Sequence, residues 1–239
     1  MATVLLHGLG GDRRQPLSLL GPVLPADTIA PDVRAHGSST LIGHPADFTL
    51  AALAAELPLP AGPLTLIGVS MGAALALRIA LTRPVERLIL LRPSFTTQPL
   101  PAHLRVFPVI GELLAHHGAE RGEEVFRYSN LFHALEAESE IGAQGMLEQF
   151  RKPDAAARAI RLVEIPRNRA YRAASELAGL GIPASVIAAL RDPVHPVAVA
   201  EQWTVDLPNA RLTVLPARDD GVRAYTDATR AAVAEALTR

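Results

Sequence analysis

The sequence predicts an α/β protein: a mostly parallel sheet with helices on both faces, interrupted by a helical insertion. Three observations carry this. Short apolar runs alternate with amphipathic segments from residue 4 to residue 91. Between residues 95 and 181 there is no convincing strand pattern, and periodic apolar residues such as Val109, Leu113 and Leu114, or Ile160, Leu162 and Ile165, predict helices. Strand-and-helix alternation then resumes at residue 184. With 239 residues, 49% of them apolar, the chain can bury a large core. The expected division is a core of residues 1–94 and 182–239 and a helical cap of residues 95–181.

In order, residues 4–7 read as a buried strand ending at Gly8, and 16–24 as a short helix. Residues 28–31 form a second, weak strand. A helix over 51–57 ends at Pro58 and Pro60, because proline supplies no N–H and clashes with the preceding turn. Residues 64–69 are a strong buried strand, 71–82 an Ala- and Leu-rich helix stopped by Pro84, and 85–91 another strand. After the insertion come a strand at 184–189, a helix at 197–205, a strand at 211–215 and a closing helix at 226–237.

Composition excludes several classes of function. Cysteine is absent, so there is no thiol nucleophile, disulfide framework or cysteine-ligated metal. The net charge of −1 provides no basic field for nucleic acid or anionic membrane. Aromatics at 4% supply no stacking platform for bases. No run of about 18 apolar residues exists for a membrane span, and the start of the chain lacks the basic and apolar regions of a signal peptide. A cytoplasmic location is the expectation. No P-loop, dinucleotide fingerprint or metal-ligand spacing is visible, so neither a cofactor nor a metal is expected.

The strongest local signal is Gly68-Val69-Ser70-Met71-Gly72, a G-x-S-x-G motif between a buried strand and a helix. A serine on so sharp a turn needs small residues two before and two after it, so that strand and helix can approach. The helix then aims its N-terminal amides at the place where an oxyanion develops. Two further glycine-rich turns follow strands: His7-Gly8-Leu9-Gly10-Gly11, and Asp32-Val33-Arg34-Ala35-His36-Gly37-Ser38-Ser39.

In this order of motifs, with the insertion and a late acid after them, the chain resembles the α/β-hydrolase superfamily over essentially its whole length. The family's usual first two strands are missing, and the exposed sheet edge that this leaves is a candidate for pairing in a homodimer. The resemblance implies that Ser70 is the nucleophile, that the backbone N–H groups of Leu9 and Met71 form the oxyanion hole, and that Asp192 is the acid. It implies a small-molecule substrate with an ester, thioester or related acyl bond, and no cofactor.

The departure lies at the base. The family places a histidine in the loop after the last strand, whereas here that loop reads Pro216-Ala217-Arg218-Asp219-Asp220-Gly221. No histidine follows His195. One reading takes another histidine as base, with His195 nearest in sequence to Asp192 and His36 on a loop facing the same sheet edge. His7 shapes the oxyanion turn, and His7 and His36 are expected to touch the substrate. His103, His116, His117 and His133 lie in the cap, where one of them can reach down to the site, though solvated helix positions are the expectation, and His44 is expected on a surface loop. A second reading is non-hydrolytic chemistry (elimination, cyclisation or decarboxylation), with Asp219 or Asp220 as acid or base if burial raises its pKa. A third is ligand binding without turnover. The cap residues Arg151, Arg158, Arg161, Arg167, Arg169 and Arg172 form either a solvated face or a collar for a carboxylate-bearing acyl substrate.

Overall fold

The computed structural model describes residues 2–239. Five strands form a single sheet in sequential order: β1 (Ala2–Leu6), β2 (Leu64–Val69), β3 (Val85–Leu91), β4 (Ala184–Ala189) and β5 (Ala210–Leu215). All four pairings are parallel. β2 is buried along its whole length, as a central parallel strand covered on both faces must be. The strand boundaries agree with the sequence pattern to within a residue or two.

The weak strand expected at residues 28–31 is not a strand. Ile29 makes one isolated bridge to Val4 on the outer side of β1, accepting from Leu5 N–H at 2.8 Å and donating to Thr3 O at 2.9 Å. Pro25 and Pro31 flank it. Thr28 N–H is turned back onto Pro25 O, and Pro31 has no N–H with which to extend the ladder. That single residue nevertheless takes up the outward-facing amide of Leu5 and carbonyl of Thr3.

Helices cover both faces. On one lie α2 (Leu50–Glu56), α3 (Met71–Ala80) and α9 (Val197–Asp206), whose core includes Leu53, Leu75, Leu88 and Trp203. On the other lie α1 (Arg14–Leu20) and α10 (Val222–Thr238), with Leu5, Ile67, Ile89 and Val233 between them and the sheet. Trp203 is fully buried and its indole N–H donates to Phe95 O at 2.9 Å, so the largest core side chain carries no unpaired polar atom.

Between β3 and β4 the chain is helical: α4 (Val106–Arg127, broken at Gly118), α5 (Asn130–Glu138), α6 (Glu140–Leu147), α7 (Ile160–Glu164) and α8 (Ala174–Leu177). Ser129 and Ser139 cap α5 and α6 through their hydroxyls. Among the described residues no helix is long and apolar enough to cross a membrane.

Candidate active site

The C-terminal ends of β2, β3 and β4 lie side by side, and each is followed by a non-glycine residue with positive φ: Ser70 (55°), Arg92 (48°) and Arg191 (49°). Such backbone is costly for L-residues and persists where the surroundings over-determine it. At Ser70 the reason is visible. Its N–H donates to Leu91 O of β3 at 2.9 Å, and α3 begins at the next residue. A Cβ at Gly68 would lie 2.2 Å from Gly72 O, and one at Gly72 would lie 2.2 Å from Leu6 O. Both glycines of the motif are therefore required by the close approach of β1, β2 and α3. Met71 opens α3, so its amide has no acceptor one turn earlier in the helix.

Opposite Ser70 stands the turn after β1. A Cβ on Gly8 would lie 3.4 Å from the Ser70 Cβ. Gly11 N–H closes this turn on Gly8 O at 3.1 Å, with Gly10 at a φ of +72°. Behind it are His7 and His36, both fully buried, with ring centroids 5.0 Å apart. His7 Nε2 accepts from Val33 N–H and His36 Nε2 from Gly10 N–H, each at 3.0 Å. Their Nδ1 atoms donate to Gly8 O at 2.9 Å and Arg34 O at 2.7 Å. All four ring nitrogens are thus committed to backbone. Burial lowers both pKa values, that of His36 strongly. The neutral ring is also the one these bonds demand, since each Nε2 must accept. Neither histidine lines the cleft. The expectation that they touch a substrate is corrected: they lock the two motif loops together.

The loop after β4 carries Asp192, the expected acid. His195 Nδ1 lies 2.8 Å from Asp192 Oδ1, and Arg92 Nη1 lies 3.4 Å from Oδ2. Val194 N–H also donates to Oδ1, at 3.2 Å. Burial pushes the Asp192 carboxyl up, but the His195 and Arg92 partners outweigh it and hold the group below the ordinary carboxylate range. His195 is itself buried, at 8% exposure. With Nδ1 occupied by Asp192, Nε2 is the ring atom left for other partners.

Ser70, Leu9, Asp192 and His195 all line one cleft of about 360 Å³. Its far wall comes from α6 and the turn after it, including Ile141, Met146, Gln149 and Lys152. The Ser70 hydroxyl lies 3.3 Å from the buried Ser94 hydroxyl. The backbone of Ser94 in turn accepts from His103 Nε2 at 2.7 Å. His103 is half-buried, not solvated as expected. Burial lowers its pKa, and the nearby His195 adds to that effect. Arg92 lines the cleft and Ser94 touches Ser70, and sequence reasoning named neither. The available signal was their position, just after β3, the strand next to the elbow.

The remaining candidates lie elsewhere. His44, His116, His117 and His133 are exposed. Asp219 binds the Ser139 hydroxyl at 2.6 Å and Ile141 N–H at 3.1 Å, pinning the start of α6. Burial raises its pKa, yet these bonds prevail and lower it, the opposite of what an acid at neutral pH requires. Asp220 pairs with Arg191. None of the six insertion arginines lines the cleft. Arg151 binds Glu123 and Glu148, and Arg167 binds Glu164. Arg158 and Arg161 donate to Gly37 O and Ala35 O, clamping the second motif loop. The collar reading is corrected accordingly: the cations of the cleft wall are Arg92, Lys152, Arg191 and Arg218. Among the described residues no group of three or more His, Asp or Glu is placed to hold a metal ion.

Comparison with known proteins agrees with this architecture. No curated protein matches the sequence closely enough to count as a relative. Among solved structures, MenH from S. aureus superposes with a TM-score of 0.71 at 17% identity, covering 100% of this chain and 93% of that one. A hydrolase from Pseudomonas aeruginosa PA01 gives 0.70 at 20% identity, with 100% and 90% coverage. The enol-lactonase from Burkholderia xenovorans LB400 gives 0.68 at 20% identity, with 99% and 91% coverage. At these identities the likeness shows a shared fold. A sequence model described as the alpha/beta hydrolase family matches residues 3–236, and the chain belongs to that family.

Proposed function

We propose that this protein is a serine hydrolase acting on an ester, thioester or related acyl bond of a small molecule, with residues 95–181 as the cap over the site. The observation that carries the reading is the sharing of one cleft by the strained Ser70 elbow and the Asp192–His195 pair. Ser70 Oγ attacks the carbonyl carbon, and His195 takes its proton at Nε2. Asp192 holds the ring through Nδ1 and stabilises the imidazolium that forms. The N–H groups of Leu9 and Met71 receive the oxyanion. His195 then returns the proton to the leaving oxygen or sulfur, and water repeats the sequence to free the acid. The base thus comes from the same loop as the acid, three residues after it, and the loop after β5 contributes Arg218 to the cleft in place of a histidine.

A second reading has one observation in its favour. The side-chain partner of Ser70 Oγ is Ser94, a hydroxyl with no basic character at neutral pH. That pairing suits a non-hydrolytic enzyme or a binding protein in which Ser70 only hydrogen-bonds the ligand. A fluorophosphonate probe separates the two, because it reports an activated serine directly. Labelling of the wild-type protein that disappears in Ser70→Ala is the expected result. Folded wild-type protein that takes no label sinks the hydrolase reading.

A further inference from the structure

The charge on the cleft wall is unbalanced. Its acids are already satisfied: Asp192 by His195 and Arg92, and Glu148 by Arg151. Arg191 is held by Asp220. Lys152, the only lysine of the chain, and Arg218 line the cleft without an ion pair among the described residues. The nearby Asp12 is occupied by Arg14 through both carboxylate oxygens. The two free cations stand at opposite ends of α6, one in the turn beyond its C-terminus and the other on the loop that pins its N-terminus. The helix between these two ends has eight residues and is about 12 Å long.

Only the Lys152 end has a second anomaly. Gln149, one helical turn before Lys152, is 7% exposed and its Oε1 has no hydrogen-bond partner. Its amide lies in the space left by the missing side chain of Gly10, where a Cβ would fall 1.7 Å from Oε1. The only bond of that amide is a long one, from Nε2 to Gly145 O at 3.4 Å. A buried carbonyl oxygen without a donor is costly and calls for one. This one sits against the turn that carries Leu9.

We propose that the turn from Gln149 to Lys152 is the specificity element of the cleft, selecting an acyl substrate that bears an anionic group and, beside it, an N–H or O–H donor. Lys152 takes the anion, and the weakly held Gln149 amide turns out of the Gly10 space, where its Oε1 is shut off from solvent, to accept from the donor. This rests on the reading of the cleft as the acyl site and names the substrate class it takes.

The test measures binding without turnover, using Ser70→Ala protein and three phenyl esters. These are phenyl hemisuccinate, its uncharged methyl diester, and the α-phenyl ester of N-acetylaspartate, which adds an amide N–H. The hemiester should bind about tenfold more tightly than the diester, the worth of one partly screened charge pair. Adding Lys152→Met should erase that difference, while Arg218→Met leaves it. The aspartate ester should gain a further few-fold, lost in Gln149→Met. Urea midpoints of the variants check that folding is intact. Equal affinity for charged and neutral esters, a preference that survives Lys152→Met, or no binding of any ester overturns the anion assignment. An acetamido preference untouched by Gln149→Met overturns the donor assignment. If the hemiester preference holds but the wild-type protein hydrolyses nothing and takes no probe, the hydrolase reading fails and the ligand class stands. Turnover without charge preference gives the reverse.

Discussion

The two pairs of buried or half-buried histidines near the sheet edge differ in what surrounds them. His7 and His36 sit inside the two glycine-rich motifs, fully buried, with every ring nitrogen bound to backbone. His195 and His103 lie outside those motifs, near the cleft, and His195 is bound to a carboxylate. A histidine whose acceptors and donors are all peptide groups is held neutral and acts as a strut. A histidine with one nitrogen on a half-buried aspartate and the other without a backbone partner has the arrangement that the proposed base requires. The glycine-rich motifs therefore mark where the scaffold is locked, and the Asp192–His195 pair lies beside them.

The largest effect expected from breaking this contrast is at His195. His195→Ala should lower the rate of ester hydrolysis, or of fluorophosphonate labelling, by about 10²–10⁴-fold, the usual contribution of a positioned base. Its urea midpoint should move far less than that of a core variant. Retention of full reactivity would place the base elsewhere, with His103 next in line.

The opposite response is expected from His36→Ala. That variant leaves the Gly10 amide and the Arg34 carbonyl without their partner, at a cost of about 1–3 kcal/mol for each group kept from water. The same pair predicts the pH dependence of stability. Burial lowers the pKa of both His7 and His36 below the ordinary 6.5, so below that pH the unfolded chain binds protons that the fold refuses. Stability should be complete above pH 6.5 and fall as the pH drops below it, by about 1.4 kcal/mol per unit for each histidine that stays neutral in the fold. Urea titrations at pH 7.5, 6 and 5 measure this. A flat profile across that window would remove the strut assignment.

The smallest effect expected is at Ser94. Its hydroxyl lies 3.3 Å from that of Ser70, a long contact between neutral groups. Ser94→Ala should change labelling of Ser70 by only a few-fold. A loss as large as that of His195→Ala would mean that the Ser94–His103 side of the cleft supplies the base.

The elements most legible in the sequence were those whose pattern is local. Residues 64–69 and 88–91 are short, mostly apolar and buried runs, and the spacing of Gly68 and Gly72 around Ser70 is a local strand–turn–helix pattern. The expected strand at residues 28–31 was not legible because strand formation there depends on available amides, which Pro31 denies. His103 reads as one more polar residue in a helical segment. In the structure it is half-buried, with Nε2 on the carbonyl of Ser94, nine positions earlier, and within the electrostatic reach of His195.

The sequence by itself determined the fold family, the strand–turn–helix placement of Ser70 and the absence of a histidine after the last strand. Each depends on residue type and spacing along the chain. Only the tertiary structure decided which histidine meets Asp192, that His7 and His36 face inward, and that Lys152 and Gln149 line the cleft while six arginines do not. Those outcomes depend on which groups are brought within hydrogen-bonding distance and which are shut off from water. Linear order does not carry that information, because partners 26 or more residues apart, such as Gly10 and His36, meet only when the sheet assembles.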